Sequence, residues 1–199
     1  MKWGQHCDLI YRRASQTCYQ IFKCFKSKNI WVLLHLFKTY VRPKVEFNSS
    51  VWSPYLKKDI SRIEAVQKSF TRYAFLRCGI PFDSYTDRLL KVNLKTLEVR
   101  RLLTDLVLLY KIVIGSSDLK FTSYFVFIQT KYNLRRNSLQ IAPIKNNKND
   151  QWRNSFFIRT PRVWNTLPDC VVKSPNAATF KNNIRKIDFS NFVTLPLNR

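Results

Sequence analysis

The 199 residues carry 35 Lys and Arg against 12 Asp and Glu, a formal charge of +23 at pH 7, with 45% hydrophobic and 24% charged residues. That composition is far from the depleted apolar content of a disordered chain, so the chain should fold at least in part, and the length suits one domain or one domain with an appendage. Three glycines are too few for a turn-rich all-β fold or for a glycine loop that cradles phosphates, so a mainly α fold is predicted.

So large a positive excess repels itself and is suited to a polyanion, nucleic acid first and an anionic membrane as the rival. No acid falls between Asp8 and Glu46 or between Asp118 and Asp150, so two long stretches are purely basic. The apolar runs WVLLHLF and LTDLVLLYKIVIG fall short of the roughly 20 residues that cross a bilayer. Lys2 is not followed by the apolar core of a signal peptide, so an intracellular protein of nucleus or cytoplasm, with no membrane partner, is expected. Cys7, Cys18, Cys24, Cys78 and Cys170 form an odd set without paired short spacings and read as small apolar fillers.

In chain order, residues 8–26 place Ile10, Ala14, Cys18, Ile21, Phe22 and Phe25 at three- and four-residue steps on one helical face. A second helix through Ile30, Leu33, Leu34, Phe37 and Tyr40 should stop at Pro43, which has no N–H to donate, and the short link makes the two an antiparallel pair. A third helix over 55–77 carries Ile60, Ile63, Val66, Phe70 and Tyr73 inward and gathers Lys58, Arg62 and Arg72 on another face, with Gly79, Ile80 and Pro81 ending it. Asp83 is placed to cap a short helix to about Lys91. Leu97 to Val113 form a long amphipathic helix ending at Gly115, with Arg101 and Asp105 paired on its exposed face.

From Ser116 the periodicity fades. KNNKND predicts a mobile loop near 145–151, and the aromatic, proline-rich stretch FFIRTPRVWNTLPDCVV is too apolar to hang free. A last helix runs over 176–186 with Ala177, Phe180, Ile184 and Ile187 inward. The expected division is a helical bundle over 1–115 and a C-terminal extension over 116–199.

Nucleotidyl transfer needs two metal ions about 4 Å apart, held by clustered carboxylates that stabilise the attacking and leaving oxygens. The chain has no adjacent Asp pair and no Y-x-D-D, and Asp83 with Asp87 reads as a cap and a surface charge. The two histidines are His6 and His35, and His35 within WVLLHLF reads as packed or snorkelling rather than as a general base. His6, Cys7, Cys18 and Cys24 lack the short paired spacings of a tetrahedral zinc site. No catalytic residue, metal site or cofactor is therefore expected.

Basic helices with interleaved aromatics do suit phosphate neutralisation and base stacking. The candidate nucleic-acid contacts are Arg12, Arg13, Lys23, Lys26, Lys28, Lys57, Lys58, Arg62, Lys68 and Arg72, with Arg135 and Arg136 in KYNLRRNS as a loop pair. For any single one a solvated side chain is the plainer reading, but solvation alone does not account for the total of +23.

The segment VRPKVEFNSSVWSPYLKKDISRIEAVQKSFTR is similar to the one that follows the palm in jockey-like, LINE-type non-LTR retrotransposon reverse transcriptases, with its V-R-P, its glutamate, its V-W-S-P and its E-x-V-Q-x-x-F-T-R helix. SYTDRLLKVNLKTLEVRRLLTDLVLLYKIVIG resembles that family's R-L-x-x-L-x-L-x-x-L-E-x-R-R helix and Y-K-I ending, and FFIRTPRVWNTLPDCVVKSPNAATFKNNI resembles its F-F-x-x-R-x-x-x-x-W-N-x-L-P close. The opening KWGQHCDLIYRRASQTCYQI resembles the helix that begins the thumb. Asn48, Lys23 and Cys24 depart from the family pattern.

The resemblance implies a thumb-like helical bundle with an irregular, aromatic-rich C-terminal extension. It further implies a catalytically inactive fragment, without the palm carboxylates or the endonuclease of the parent RNA-directed DNA polymerase. Such a fragment binds RNA or an RNA–DNA hybrid non-specifically, with a palm-bearing polymerase chain as a further partner. Trp164, Asn165 and Pro168 of WNTLP read as an apolar wedge with a structural role. The alternative is a structural or interaction protein that binds no nucleic acid, including a poorly folded pseudogene product.

Overall fold

The computed structural model describes residues 3–128, 139–144 and 150–194. The chain is mainly α and divides into two compact units, Met1–Arg100 with Val193–Arg199, and Arg101–Phe192.

The first unit begins with α1 (Gly4–Cys24), which buries Cys7, Ile10, Ala14, Thr17 and Ile21. Asn29 then accepts from the Trp31 backbone N–H at 2.9 Å and opens α2 (Ile30–Leu36). The helix does not stop before Pro43 as the sequence predicts. It passes through a π-helical turn, Phe37–Val41, into α3 (Arg42–Glu46), with the Arg42 N–H donating to the Phe37 carbonyl. The wider turn separates the proline ring from the preceding carbonyls and needs no N–H from Pro43, so the path continues. α3 packs on α1, where Lys44 Nζ donates to Thr17 Oγ1 at 2.6 Å. Asn48, at φ 54°, takes the left-handed conformation that asparagine tolerates, and α4 (Ser49–Trp52) follows. Trp52 is buried, its Nε1 donating to the Phe47 carbonyl at 2.8 Å.

α5 (Lys57–Cys78) is the main partner of α1, and the two run in the same direction. Arg62 meets Asp8 near the start of α1, and Phe22 meets Phe70 with ring centroids 4.8 Å apart near its end. The predicted neighbour also packs on α1, through the π-helical turn and α3 that continue α2, so α1 is covered from both sides. Gly79, at φ 66°, closes α5, with its own N–H bonding the Leu76 carbonyl and the Ile80 N–H bonding Phe75. The core here holds Leu33, Phe37, Val41, Ile63, Val66, Phe70 and Ala74.

α6 (Tyr85–Lys91) is capped by Ser84 rather than Asp83. Ser84 Oγ accepts from the Asp87 N–H at 3.1 Å, while Asp83 gives its own N–H to Asp87 Oδ2 at 3.3 Å. A buried polar network then sets the start of α7 (Leu97–Val113). Glu64 accepts from the Leu97 N–H at 2.9 Å and from the Tyr85 hydroxyl at 2.5 Å. Gln67 donates to that hydroxyl at 2.9 Å and to the Lys95 carbonyl at 3.1 Å. Glu46 holds Arg100 through both guanidinium Nε and Nη2, the latter at 2.8 Å.

The second unit contains the rest of α7, which ends at Gly115 with φ 69°. The division falls between Arg100 and Arg101, not at 115, because Leu106, Leu109, Tyr110 and Ile112 pack with Phe125, Trp164 and Phe180. An unpredicted antiparallel pair, β1 (Phe125–Phe127) and β2 (Ile141–Pro143), sets Phe125 opposite Pro143 and Phe127 opposite Ile141. α8 (Asp150–Arg153), α9 (Phe156–Trp164), α10 (Asp169–Val172) and α11 (Ala177–Ile184) follow, the last capped by Asn176, which accepts from the Thr179 N–H at 2.8 Å. Of the loop predicted near 145–151, residues 145–149 lie outside the described residues and 150–151 begin α8.

The wedge reading of WNTLP acquires a geometry here. Trp164 is fully buried and its Nε1 donates to the Leu139 carbonyl at 2.9 Å. Asn165 accepts from the Ile141 N–H at 2.9 Å and donates to the Ile141 carbonyl at 3.0 Å, fastening β2. Tyr110 stacks on Phe180 with centroids 4.3 Å apart and donates its hydroxyl to the Ser174 carbonyl. Arg101 and Asp105 are buried rather than exposed, and Asp105 accepts from Arg159 at 2.9 Å. The helical spacing that sets these two side by side does not say which face of α7 becomes covered.

Candidate nucleic-acid interface

α1 and α5 turn their apolar stripes inward, and the flank each leaves beside the contact still carries aromatic residues. Between them runs an open groove of about 690 Å³, lined by Tyr11, Cys18, Tyr19 and Phe22 of α1 and Phe70, Tyr73 and Leu76 of α5. Tyr19 is 66% exposed and Tyr73 61%, values at which a ring still has a free face to offer. Burial pushes the Cys18 thiol up to about 12, so it stays protonated at neutral pH.

The predicted cations are distributed around this groove rather than within it. Arg12 and Lys23 fall on the same flank of α1 as Tyr19, at steps of seven and four residues, whereas Arg13 points to the other side. Lys58, Arg62 and Arg72 share a flank of α5, as the spacing predicts. Lys57 begins α5, and Lys26 and Lys28 sit in the link after α1. Lys68 and Arg72 line a separate cleft against α6. All ten are exposed. Arg62 pairs with Asp8 at 3.1 Å and lies 4.2 Å over the Tyr11 ring; among the described residues none of the other nine takes a carboxylate partner. Arg135 and Arg136 lie outside the described residues.

Two arginines that the sequence left unselected matter locally. Arg77 donates to the Phe22 and Phe25 carbonyls at 2.9 and 2.6 Å, satisfying the end of α1. Arg88 is only 4% exposed and has no ion pair in the described structure. Its place next to Asp87 in DRLLK reads as surface, and only the packing of α6 buries it.

The carboxylates are largely engaged in structural pairs. Besides Glu46, Glu64 and Asp105, Asp87 pairs with Lys91 at 2.9 Å and Asp169 with Lys173 at 2.6 Å. Among the described residues no three His, Cys, Asp or Glu side chains gather as a metal set. His6 sits edge-on to Trp3 and Trp52, with centroids at 5.8 and 5.2 Å, and His35 is exposed, which agrees with the snorkelling alternative and not with the packed one. The filler reading suits buried Cys7, while Cys24 and Cys170 are exposed.

No helix among the described residues is long and apolar enough to cross a membrane. No family model matches the chain, and no solved structure matches it. Over 115 residues the chain is 28% identical to the uncharacterized protein B0403.1 of Caenorhabditis elegans, and the matched stretch spans 58% of this chain and 58% of that protein.

Proposed function

We propose that this chain is a thumb-like part of a jockey-like non-LTR retrotransposon reverse transcriptase, inert as a polymerase by itself, that holds RNA or an RNA–DNA hybrid through its phosphates without sequence preference. The observation that carries this is the set of exposed lysines and arginines on α1 and α5, of which Arg62 alone pairs with an acid among the described residues, that flank an aromatic groove in a chain of net charge +23. Cations in this arrangement release the counterions of a nucleic-acid backbone, and free tyrosine faces accept unpaired bases. The engagement of the chain's own carboxylates in structural pairs supports the inert reading, and a palm-bearing chain is the partner that would supply catalysis.

The test is titration of fluorescent poly-U and an RNA–DNA hybrid oligonucleotide at several salt concentrations. Log affinity should fall linearly with log salt. Absence of salt-dependent binding near physiological ionic strength sinks the proposal.

A second reading, an interaction protein without nucleic-acid binding, draws on Trp31, Phe47 and Val51, which are 61%, 78% and 63% exposed. Self-association of the purified protein, with no affinity for either oligonucleotide, favours it.

A further inference from the structure

Arg88 is the one cation of the α5–α6 region that the fold takes out of water, and it is taken out with weak compensation. Its guanidinium carbon lies 4.6 Å over the Phe82 ring and 5.5 Å over the Tyr85 ring. Nε donates to Thr71 Oγ1 at 3.3 Å and Nη2 to the Lys68 carbonyl at 3.4 Å. Both bonds are long, both acceptors are neutral, and among the described residues Nη1 has no acceptor. The neighbouring Asp87 carboxylate is bonded to Lys91 and the Asp83 backbone N–H and acts on Arg88 only through space.

A buried guanidinium without a carboxylate normally has an anion facing it. Arg88 lines a cleft of about 450 Å³, and Lys68 and Arg72, one helical turn apart on α5, line the same cleft. Ser69 and Ser84 add hydroxyls at its wall, and Asp83 is the single acid among its lining residues. Three cations that repel one another around one opening, one of them buried on two aromatic rings, form a site for a compact, multiply charged oxyanion. A guanidinium fork and two flexible or semi-rigid cations match the tetrahedral oxygens of phosphate.

We propose that Lys68, Arg72 and Arg88 form a seat for a phosphate group in the cleft between α5 and α6. Occupation by a nucleic-acid phosphodiester rests on the nucleic-acid reading above, whereas occupation by free phosphate or a phosphomonoester does not.

The test follows the Arg88 Nε–H resonance of the full chain by NMR. Titration with inorganic phosphate should move it saturably, and the double variant Lys68→Ala with Arg72→Ala should weaken that response about tenfold. Both positions are exposed, so the variant leaves the core intact. Lys181→Ala with Lys186→Ala, exposed and outside the cleft, should leave the response unchanged.

A second arm uses an oligo-U without a terminal phosphate, which offers diesters alone. If it moves the same resonance, the seat takes the backbone; if only inorganic phosphate does, the seat takes free or terminal phosphate. An Arg88 signal silent to both, or an equal loss in the two double variants, overturns the seat. Salt-dependent oligo-U binding alongside a silent Arg88 leaves the nucleic-acid reading standing without the seat. A phosphate response with no oligo-U affinity does the reverse.

Discussion

The two units handle charge in opposite ways. In the first, two carboxylates turn inward to organise the chain, Glu64 at the start of α7 and Glu46 against Arg100, while the predicted cations of α1 and α5 stay outside, Arg62 alone of them pairing with an acid among the described residues. In the second, an aromatic core of Tyr110, Trp164 and Phe180 dominates, and the buried carboxylate of Asp105 meets the half-buried guanidinium of Arg159. The contrast sets a basic, solvent-facing surface in one unit against a core held by packing in the other, and it assigns most of the motif residues to structure. Glu64, Gln67 and Thr71 of the third helix, Arg100 of the long one, and Trp164 with Asn165 all hold the chain together.

Substitutions can break that contrast, and the largest effect is expected in the aromatic body. Trp164→Ala removes a fully buried side chain and the bond to Leu139, and should cost about 3–5 kcal/mol. In hydrogen exchange, amides of β1, β2 and α11 should lose protection while those of α1 and α5 keep theirs; equal loss in both units refutes a separate core.

Arg159→Ala should follow at about 3 kcal/mol by denaturant unfolding, since Asp105 is 2% exposed and loses its guanidinium partner. A change within experimental error would mean that Asp105 is held adequately by other groups.

Glu64→Gln keeps the shape but replaces a charged acceptor of the Tyr85 hydroxyl and the Leu97 N–H, and should cost about 1–2 kcal/mol. Oligonucleotide affinity at a temperature where the variant is folded should not move, because the site lies inside. A selective loss of binding would place Glu64 in the interface instead.

Lys23→Ala with Lys58→Ala sits at the other end of the contrast. Stability should stay within about 0.5 kcal/mol, while the slope of log affinity against log salt should fall by about 1 for each phosphate contact removed. An unchanged slope removes these two from the interface.

The smallest effect concerns the groove. With its thiol at about 12, Cys18 should react with iodoacetamide far more slowly at neutral pH than exposed Cys24, as read by peptide mass spectrometry.

Periodicity alone located α5, α7 and α11 to within two residues at each end and α1 to within four, because three- and four-residue apolar steps report which face must be covered. The exposed lysines and arginines were equally legible, since a long charged side chain without a partner stays in water wherever the helix lies. What covers each face was not legible. The packing of α5 on α1, the π turn that carries the chain through Pro43, the burial of Arg101 and Asp105, and the packing of Arg88 on Phe82 and Tyr85 all depend on surfaces distant in sequence. The same holds for β1 and β2, three residues each, whose pairing is held by Asn165 and Trp164. The sequence by itself therefore determined a mainly α, strongly basic chain, because that follows from local spacing and charge. Tertiary structure decided which cations are free and which one is buried without an acid, because that depends on which helix happens to lie across it.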